Sequence, residues 1–275
     1  MESGVGKLKQ YVLRLARGGI TSDANLGRID SASAASQWKL GMLVVDEAQA
    51  PEYIERNLEN AQNDLERIYY GHHGRRIFKW HHYLAIYGRH LQDKKSLRPL
   101  RVLEIGVQNG GSLQMWRKYF GPAATIFGID IDPICKGFEE DGCQIRIGDQ
   151  SDPKFIAGVI DEMGGVDVII DDGSHIASHQ LATFQTAFPL LADGGLYIVE
   201  DLHTSYWDGW EGGLLRKGTF IEHIKAIVDQ MHGWYFPNAD PMGIKASVTG
   251  LHLYDSIAVI DKGAKERPYA VHVGD

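Results

Sequence analysis

The 275-residue sequence predicts a doubly wound α/β fold: a mainly parallel sheet with helices on both faces, preceded by a helical N-terminal extension. Two observations carry this expectation. Short, buried-type apolar runs alternate with amphipathic segments from Arg101 onward, the pattern of parallel strands covered on both sides. In addition, a glycine-bearing turn couples the first of these runs to a helical segment.

The elements follow in order. The first 50 residues, including GGITSDANLGRIDSASAAS, read as loops with one early helix. PEYIERNLENAQNDLERIYY then opens on Pro51, carries acidic residues early and spaces its apolar residues helically, which predicts a helix. A second helix is expected over Lys79 to Gln92. RVLEI (Arg101 to Ile105) is the first strand, and NGGS leads into the helical SLQMWRKYF. TIFGI (Thr125 to Ile129) is the second strand, QIRIGD the third and, after another helix, VDVIIDD the fourth. Leu181 to Leu191 suits a helix and GLYIVE (Gly195 to Glu200) a fifth strand, while LHLYDSIAVIDKG suits a strand or hairpin closing one edge. Residues 1–75 are read as an extension or helical cover, and residues 76–275 as the main domain.

Composition narrows the functional classes. The hydrophobic share of 44% and charged share of 23% are those of an ordinary globular chain. No stretch approaches the roughly 20 apolar residues of a membrane span, and the N-terminus lacks the apolar core of a secretory signal, so a cytoplasmic location is expected. A net charge of −8, with 36 acidic against 28 basic residues, disfavours nucleic acid as a partner, because affinity for its backbone comes from clustered cations. Cys135 and Cys143 are expected to be free thiols, and with no CxxC pair a zinc site is not expected.

VLEIGVQNGGSL is a candidate ligand loop. Gly106 lets the backbone approach a ligand, and Gly110 and Gly111 allow a tight path into the helix. Ser112 sits where it caps that helix or binds the ligand. The glycines run G-x-x-x-G-G, which departs from the GxGxxG of dinucleotide sites. A carboxylate at Glu104 would repel a pyrophosphate and suits a ligand with a cationic amino-acid moiety. Asp130, after the second strand, is placed to accept two ribose hydroxyls, and Asp149 and Gln150 to read an adenine edge. The competing reading has Asp130 and Asp149 only capping helices.

IIDDGSHIASH and YIVEDLHTSYW place Asp171, Asp172 and His175 after one strand and Glu200 and Asp201 after the next. In a parallel sheet these acids converge on the edge that carries the glycine turn. Packed carboxylates repel one another unless a cation joins them, and an all-oxygen set favours Mg²⁺, with Mn²⁺ as the alternative. Asp172, Glu200 and Asp201 are assigned to the metal. Asp171 is assigned to the cofactor, because neighbours on an extended chain point opposite ways. His175 is the candidate base for the proton of an alcohol nucleophile, against a structural hydrogen bond within its turn. His179 and His203 are read as structural. Tyr206, Trp207 and Trp210 form either a substrate loop or a packed surface loop. GHHGRR and KWHHY are read as cofactor-covering or structural, with His82 or Tyr83 as candidate cofactor contacts.

Over residues 75–265, the runs KWHHYLAIYGRHL, VLEIGVQNGGSLQMWRKYFGP, GIDID, GDQSD, IDDGSH, GGLYIVEDLHTSYW and GLHLYDSIAVIDKG together resemble the macrolide and rhamnosyl sugar O-methyltransferases, within a wider cephalosporin hydroxylase-like group. The resemblance implies a class I, Rossmann-like fold dependent on S-adenosylmethionine. It also implies Mg²⁺ at Asp172, Glu200 and Asp201, His175 as base, and a sugar hydroxyl of a glycosylated natural product as acceptor, a rhamnose-type deoxysugar in antibiotic biosynthesis. Homo-oligomerisation follows by family analogy only. Two rival readings stand beside it. One is an O-methyltransferase of catechols or other small phenols. The other is a hydroxylase-like or non-catalytic nucleotide-binding protein, although an Fe(II) oxygenase would want two histidines and one carboxylate.

Overall fold

The computed structural model describes residues 50–96, 99–236 and 247–274, so the loops and early helix expected over residues 1–49 lie outside the described residues. The helical stretch from Pro51 is two helices rather than one, α1 (Ala50–Glu59) and α2 (Asp64–Tyr70). Asn63 makes the break. Its side chain accepts the Glu66 N–H at 2.9 Å, while the Glu66 carboxylate accepts the Gln62 N–H at 2.6 Å. This reciprocal pairing resembles a capping box and starts a new helix instead of extending the old one.

Helix α3 (His81–Leu91) follows, and then the alternating units begin. Strand β1 (Arg101–Ile105) leads to α4 (Gly111–Phe120), and β2 (Thr125–Asp130) is followed by β3 (Cys143–Ile147) and α5 (Pro153–Glu162). Strand β4 (Val166–Asp171), α6 (Ala177–Leu190), β5 (Leu191–Val199) and α7 (Phe220–Met231) come next, before β6 (Val248–Leu253) and β7 (Ala258–Lys262). The seven strands run in the order β3-β2-β1-β4-β5-β7-β6. The first five are parallel, and the C-terminal pair is an antiparallel hairpin whose second strand, β7, lies between β5 and β6. Strand order therefore reverses between β1 and β4, where doubly wound sheets open a crevice at their carboxyl ends.

Strand alternation sorts the interior into two layers. Val102, Ile126, Val168 and Ile198 pack with α2, α3 and α4 through Leu65, Tyr83, Tyr87 and Trp116. Leu103, Phe127, Ile169 and Tyr197 pack with α5, α6 and α7 through Ile156, Phe184 and Ile224. Leu65 and Tyr70 of α2 belong to the same cluster as β1, so α2 shares the main core, whereas α1 buries none of its residues. Cys135 and Cys143 are buried free thiols, pushed up by burial to about 12 and about 11.

One core contact predicts an acid response. His223 of α7 lies 5.2 Å from the Phe184 ring and 5.7 Å from Phe220, its Nε2 has no hydrogen-bond partner among the described residues, and burial lowers its pKa. A histidine kept neutral by the fold costs nothing above its ordinary pKa of about 6.5 and destabilises as pH falls below it. His223→Leu is therefore expected to flatten the fall in melting temperature between pH 7.5 and 5.5. A fall as steep as that of the wild type would assign the acid sensitivity elsewhere.

Candidate active site

Strand register brings the functional turns together. Ile105 is opposite both Ile129 and Asp171, Asp171 is opposite Val199, and Asp130 is opposite Ile147. The residues that follow, Gly106, Gly148 to Gln150, Asp172, and Glu200 to Asp201, consequently share one edge of the sheet.

The glycine turn is tightly held. Gly106 has φ +94°, and a Cβ placed on it would lie 2.1 Å from the carbonyl oxygen of Asp172. Its backbone thus passes directly against the acidic turn after β4. Gly106→Ala is expected to cost about 3 kcal/mol or more in denaturant unfolding, from strain and clash together; a loss below 1 kcal/mol would show that this approach is not tight. Asp130 braces the same turn: its Oδ2 accepts the N–H groups of Val107 and Gln108 at 2.9 Å, and its Oδ1 accepts that of Asp132. Gly111, at the start of α4, lies beneath the carbonyls of Arg75 and Arg76. The GHHGRR segment therefore runs across that helix start, pinned by the Arg75 guanidinium on the Phe138 carbonyl at 3.1 Å and on Glu140 at 3.0 Å.

After β3, Asp149 is exposed and accepts the Ser151 N–H and hydroxyl at 2.8 and 2.7 Å, which together hold its pKa below the usual carboxylate value. Asp152, not Asp149, caps α5. Gln150 is buried and couples two turns: its amide oxygen accepts the Ser174 N–H at 2.7 Å, and its NH₂ donates to Asp171 and Thr183 at 3.2 and 3.1 Å.

Asp171 and Asp172 point to opposite layers. Asp171 turns toward α6, where it accepts from Tyr197 at 2.8 Å, and full burial pushes its pKa up to about 6. Asp172 turns toward α3 and meets Lys79. The Lys79 ammonium donates to Asp172 Oδ2 and Glu200 Oε1, each at 2.5 Å, and lies 3.6 Å from Glu104. Burial pulls this lysine down, but the three carboxylates outweigh it and hold the pKa well above the ordinary lysine value. Glu104 is fully buried and also accepts from Ser112 at 2.6 Å and Trp116 at 2.9 Å. Glu104 and Ser112, both read from the sequence as cofactor contacts, are thus bonded to each other. Burial raises the pKa of Glu104, and burial beside Asp172 raises that of Glu200.

The outward-facing atoms form a separate group. His175 Nε2 lies 3.8 Å from Asp172 Oδ1 and 3.5 Å from Asp201 Oδ2. One ligand atom from each of Asp172, His175 and Asp201 falls within 4.8 Å of the others, the geometry of a candidate cation site. Glu200 sits behind them, its side chain 2% exposed and its Oε1 shared by Lys79 and the Tyr87 hydroxyl. His175 and Asp201 have φ of +57° and +55°, a left-handed conformation rare for residues other than glycine and concentrated at functional sites. The Tyr83 hydroxyl lies 2.9 Å from both Asp201 Oδ1 and the Ser256 carbonyl, which ties the site to the C-terminal hairpin.

The remaining candidates frame this rim. His179 Nδ1 pairs with Ser174 Oγ at 3.0 Å, His203 Nδ1 with Ser256 Oγ at 2.5 Å, and His82 Nε2 with the Asp255 carbonyl at 2.9 Å. Trp80, His203, Trp207 and Trp210 form a continuous chain of ring contacts, with Trp210 buried and Tyr206 exposed. The sequence reading missed Lys79, Tyr87 and Trp116. For Tyr87 the signal was present in YLAIY, which places it one helical turn after Tyr83.

No family model matches the chain. It is 36% identical over 228 residues to the 8-demethyl-8-(2-methoxy-alpha-L-rhamnosyl)-tetracenomycin-C 3'-O-methyltransferase of Streptomyces olivaceus, covering 78% of this chain and 58% of that protein. The chain is related to the sugar O-methyltransferases. Among the other relatives, the mycinamicin VI 2''-O-methyltransferase of Micromonospora griseorubida is 35% identical over 201 residues, 68% of this chain and 49% of its own length. The structure of the MycE methyltransferase of the mycinamycin pathway, in complex with Mg, SAH and mycinamycin VI, superposes with a TM-score of 0.66 at 31% identity, over 80% of this chain and 62% of that one. The chain spans 49–62% of the length of these relatives. Its sheet and flanking helices are those of the class I methyltransferases, as the sequence predicts.

Proposed function

We propose that the chain transfers the methyl group of S-adenosylmethionine to a sugar hydroxyl of a glycosylated natural product, a rhamnose-type deoxysugar, with Mg²⁺ at the acidic rim. The convergence of Asp172, His175 and Asp201 on one side of the rim carries this reading, and the names of the relatives support the acceptor class. The donor set fits a hard cation: two carboxylates supply oxygens, and the single imidazole is left as a base, since Mg²⁺ prefers oxygen ligands. One imidazole beside two carboxylates is the reverse of the Fe(II) oxygenase set. Bound Mg²⁺ would supply a Lewis acid that lowers the pKa of the acceptor hydroxyl.

Asp172 and Asp201 would hold the ion, while Glu200, assigned to the metal from the sequence, would support them from behind, its Oε1 taken by Lys79 and Tyr87. His175 would take the hydroxyl proton as the new O–CH₃ bond forms and the S–CH₃ bond breaks, leaving S-adenosylhomocysteine. Glu104, Gly106, Ser112, Asp130, Asp149, Gln150 and Asp171 would shape the methyl-donor side of the crevice, with Asp130 and Gln150 fixing its turns. Residues 76–275 would form the methyltransferase domain, with the preceding helices as its cover. Among the described residues no helix is long and apolar enough to cross a membrane, and two buried free thiols fit a reducing compartment such as the cytoplasm. The test is incubation with methyl-labelled S-adenosylmethionine, Mg²⁺ and a panel of rhamnosides and simple catechols. Labelled rhamnoside that disappears on chelation is expected. Label only on catechols, or label indifferent to chelator, would overturn the reading.

A further inference from the structure

Tyr83 and Tyr87 stand one turn apart on one face of α3, and Lys79 lies in the chain just before the helix, ahead of the extended Trp80. Each reaches a rim carboxylate from behind. Lys79 bonds Asp172 Oδ2 and Glu200 Oε1, Tyr83 approaches Asp201 Oδ1, and Tyr87 bonds Glu200 Oε1. The opposite oxygens, Asp172 Oδ1 and Asp201 Oδ2, face His175. Lys79 and Tyr83 thus turn one oxygen of each aspartate inward and leave the other to the candidate cation site. Lys79 is the charged member, its side chain 1% exposed, and its ammonium meets Glu104, Asp172 and Glu200 together. Carboxylates packed this closely repel one another without a cation among them, and a buried ammonium needs partners of its own.

We propose that Lys79 is a positioning residue, a built-in counter-cation that holds Asp172 and Glu200 in place before the divalent ion binds and that limits how tightly the ion is held. The inference rests on the metal reading above. The affinity limit has two sources: Lys79 occupies one oxygen of Asp172, and its positive charge opposes an incoming one across a short, poorly solvated distance. A chain lacking this ammonium has only the ion to join its carboxylates, so its fold becomes more dependent on the ion through mass action.

The test compares the full chain with Lys79→Met and Lys79→Arg, reading melting temperature with and without MgCl₂ and Mg²⁺ affinity by titration calorimetry. Lys79→Met is expected to melt below the wild type without ion, to gain about twice the wild-type Mg²⁺ increment or more, and to bind Mg²⁺ about threefold more tightly or better. Lys79→Arg, which keeps the charge, is expected to follow the wild type. If the wild type neither binds Mg²⁺ nor shifts with it, the metal reading falls and this inference with it. If the wild type responds but Lys79→Met shows the same increment and affinity, the inference alone falls. Should Lys79→Met be unfolded with and without Mg²⁺, Lys79→Gln is measured in the same way. An increment above wild type in that variant supports the counter-cation role, whereas an unchanged increment or an unfolded chain reduces Lys79 to a structural ion pair.

Discussion

Replacing His175 by Asn is expected to lower methyl transfer by about 10²–10⁴-fold, the usual loss when a positioned base is removed, while the protein melts near the wild-type temperature. The choice of Asn follows from the backbone. His175 lies at φ +57°, a conformation Asn tolerates better than most residues. The turn's contact from Thr204 Oγ1, at 3.2 Å, is to the His175 carbonyl and so does not depend on the side chain. What the variant loses is the imidazole, whose Nε2 faces the rim and whose buried Nδ1 has no hydrogen-bond partner among the described residues. A purely structural histidine would be expected to use that second nitrogen to fasten its turn. Single-turnover transfer to a rhamnoside, at saturating Mg²⁺ and methyl donor, checks the prediction. A rate within threefold of the wild type would remove His175 from the chemistry.

The second large effect is expected at Asp201. Asp201→Asn keeps the shape and the left-handed backbone, again suited to Asn, but removes the charge. The Mg²⁺ concentration for half-maximal activity should rise by about 100-fold or more, beyond the 10–100-fold typical of groups that only support a ligand, and turnover at low Mg²⁺ should vanish. Tyr83 retains an acceptor, since the Ser256 carbonyl is 2.9 Å from its hydroxyl, so the fold should survive. Asp172→Asn should act in the same direction with a larger stability loss, because it also removes the negative charge of one of the two carboxylates 2.5 Å from the buried Lys79 ammonium. Unchanged Mg²⁺ dependence in Asp201→Asn would place the ion elsewhere or nowhere.

Much of this arrangement was legible in the sequence because it is carried by local signals. The apolar runs gave the five parallel strands, and LHLYDSIAVIDKG gave the edge hairpin. The acids follow strand ends, so a parallel sheet had to bring Asp172 and Asp201 to one edge. What escaped was decided by contacts distant in sequence. Lys79 and Glu200 are 121 positions apart, and no local pattern tells an exposed lysine from one sealed beneath three carboxylates. The inner partners of Glu104 were not legible either: strand alternation turns it into the α3–α4 layer, where Trp116 and Ser112 donate to its oxygens. The split between α1 and α2 was local but subtle, since Asn63 and Glu66 lie inside an otherwise unbroken helical rhythm.

The placement of β7 between β5 and β6 has a consequence for biogenesis. Ser256, in the bend joining those two hairpin strands, offers its carbonyl to Tyr83 and to the Leu202 N–H and its hydroxyl to His203. Everything it fastens is translated earlier, so a nascent chain stalled before residue 256 has the acidic turns but not the clasp that sets Asp201 and the loop after it. The turn that carries Asp201 is therefore fastened only late in synthesis, when the domain can close as a unit.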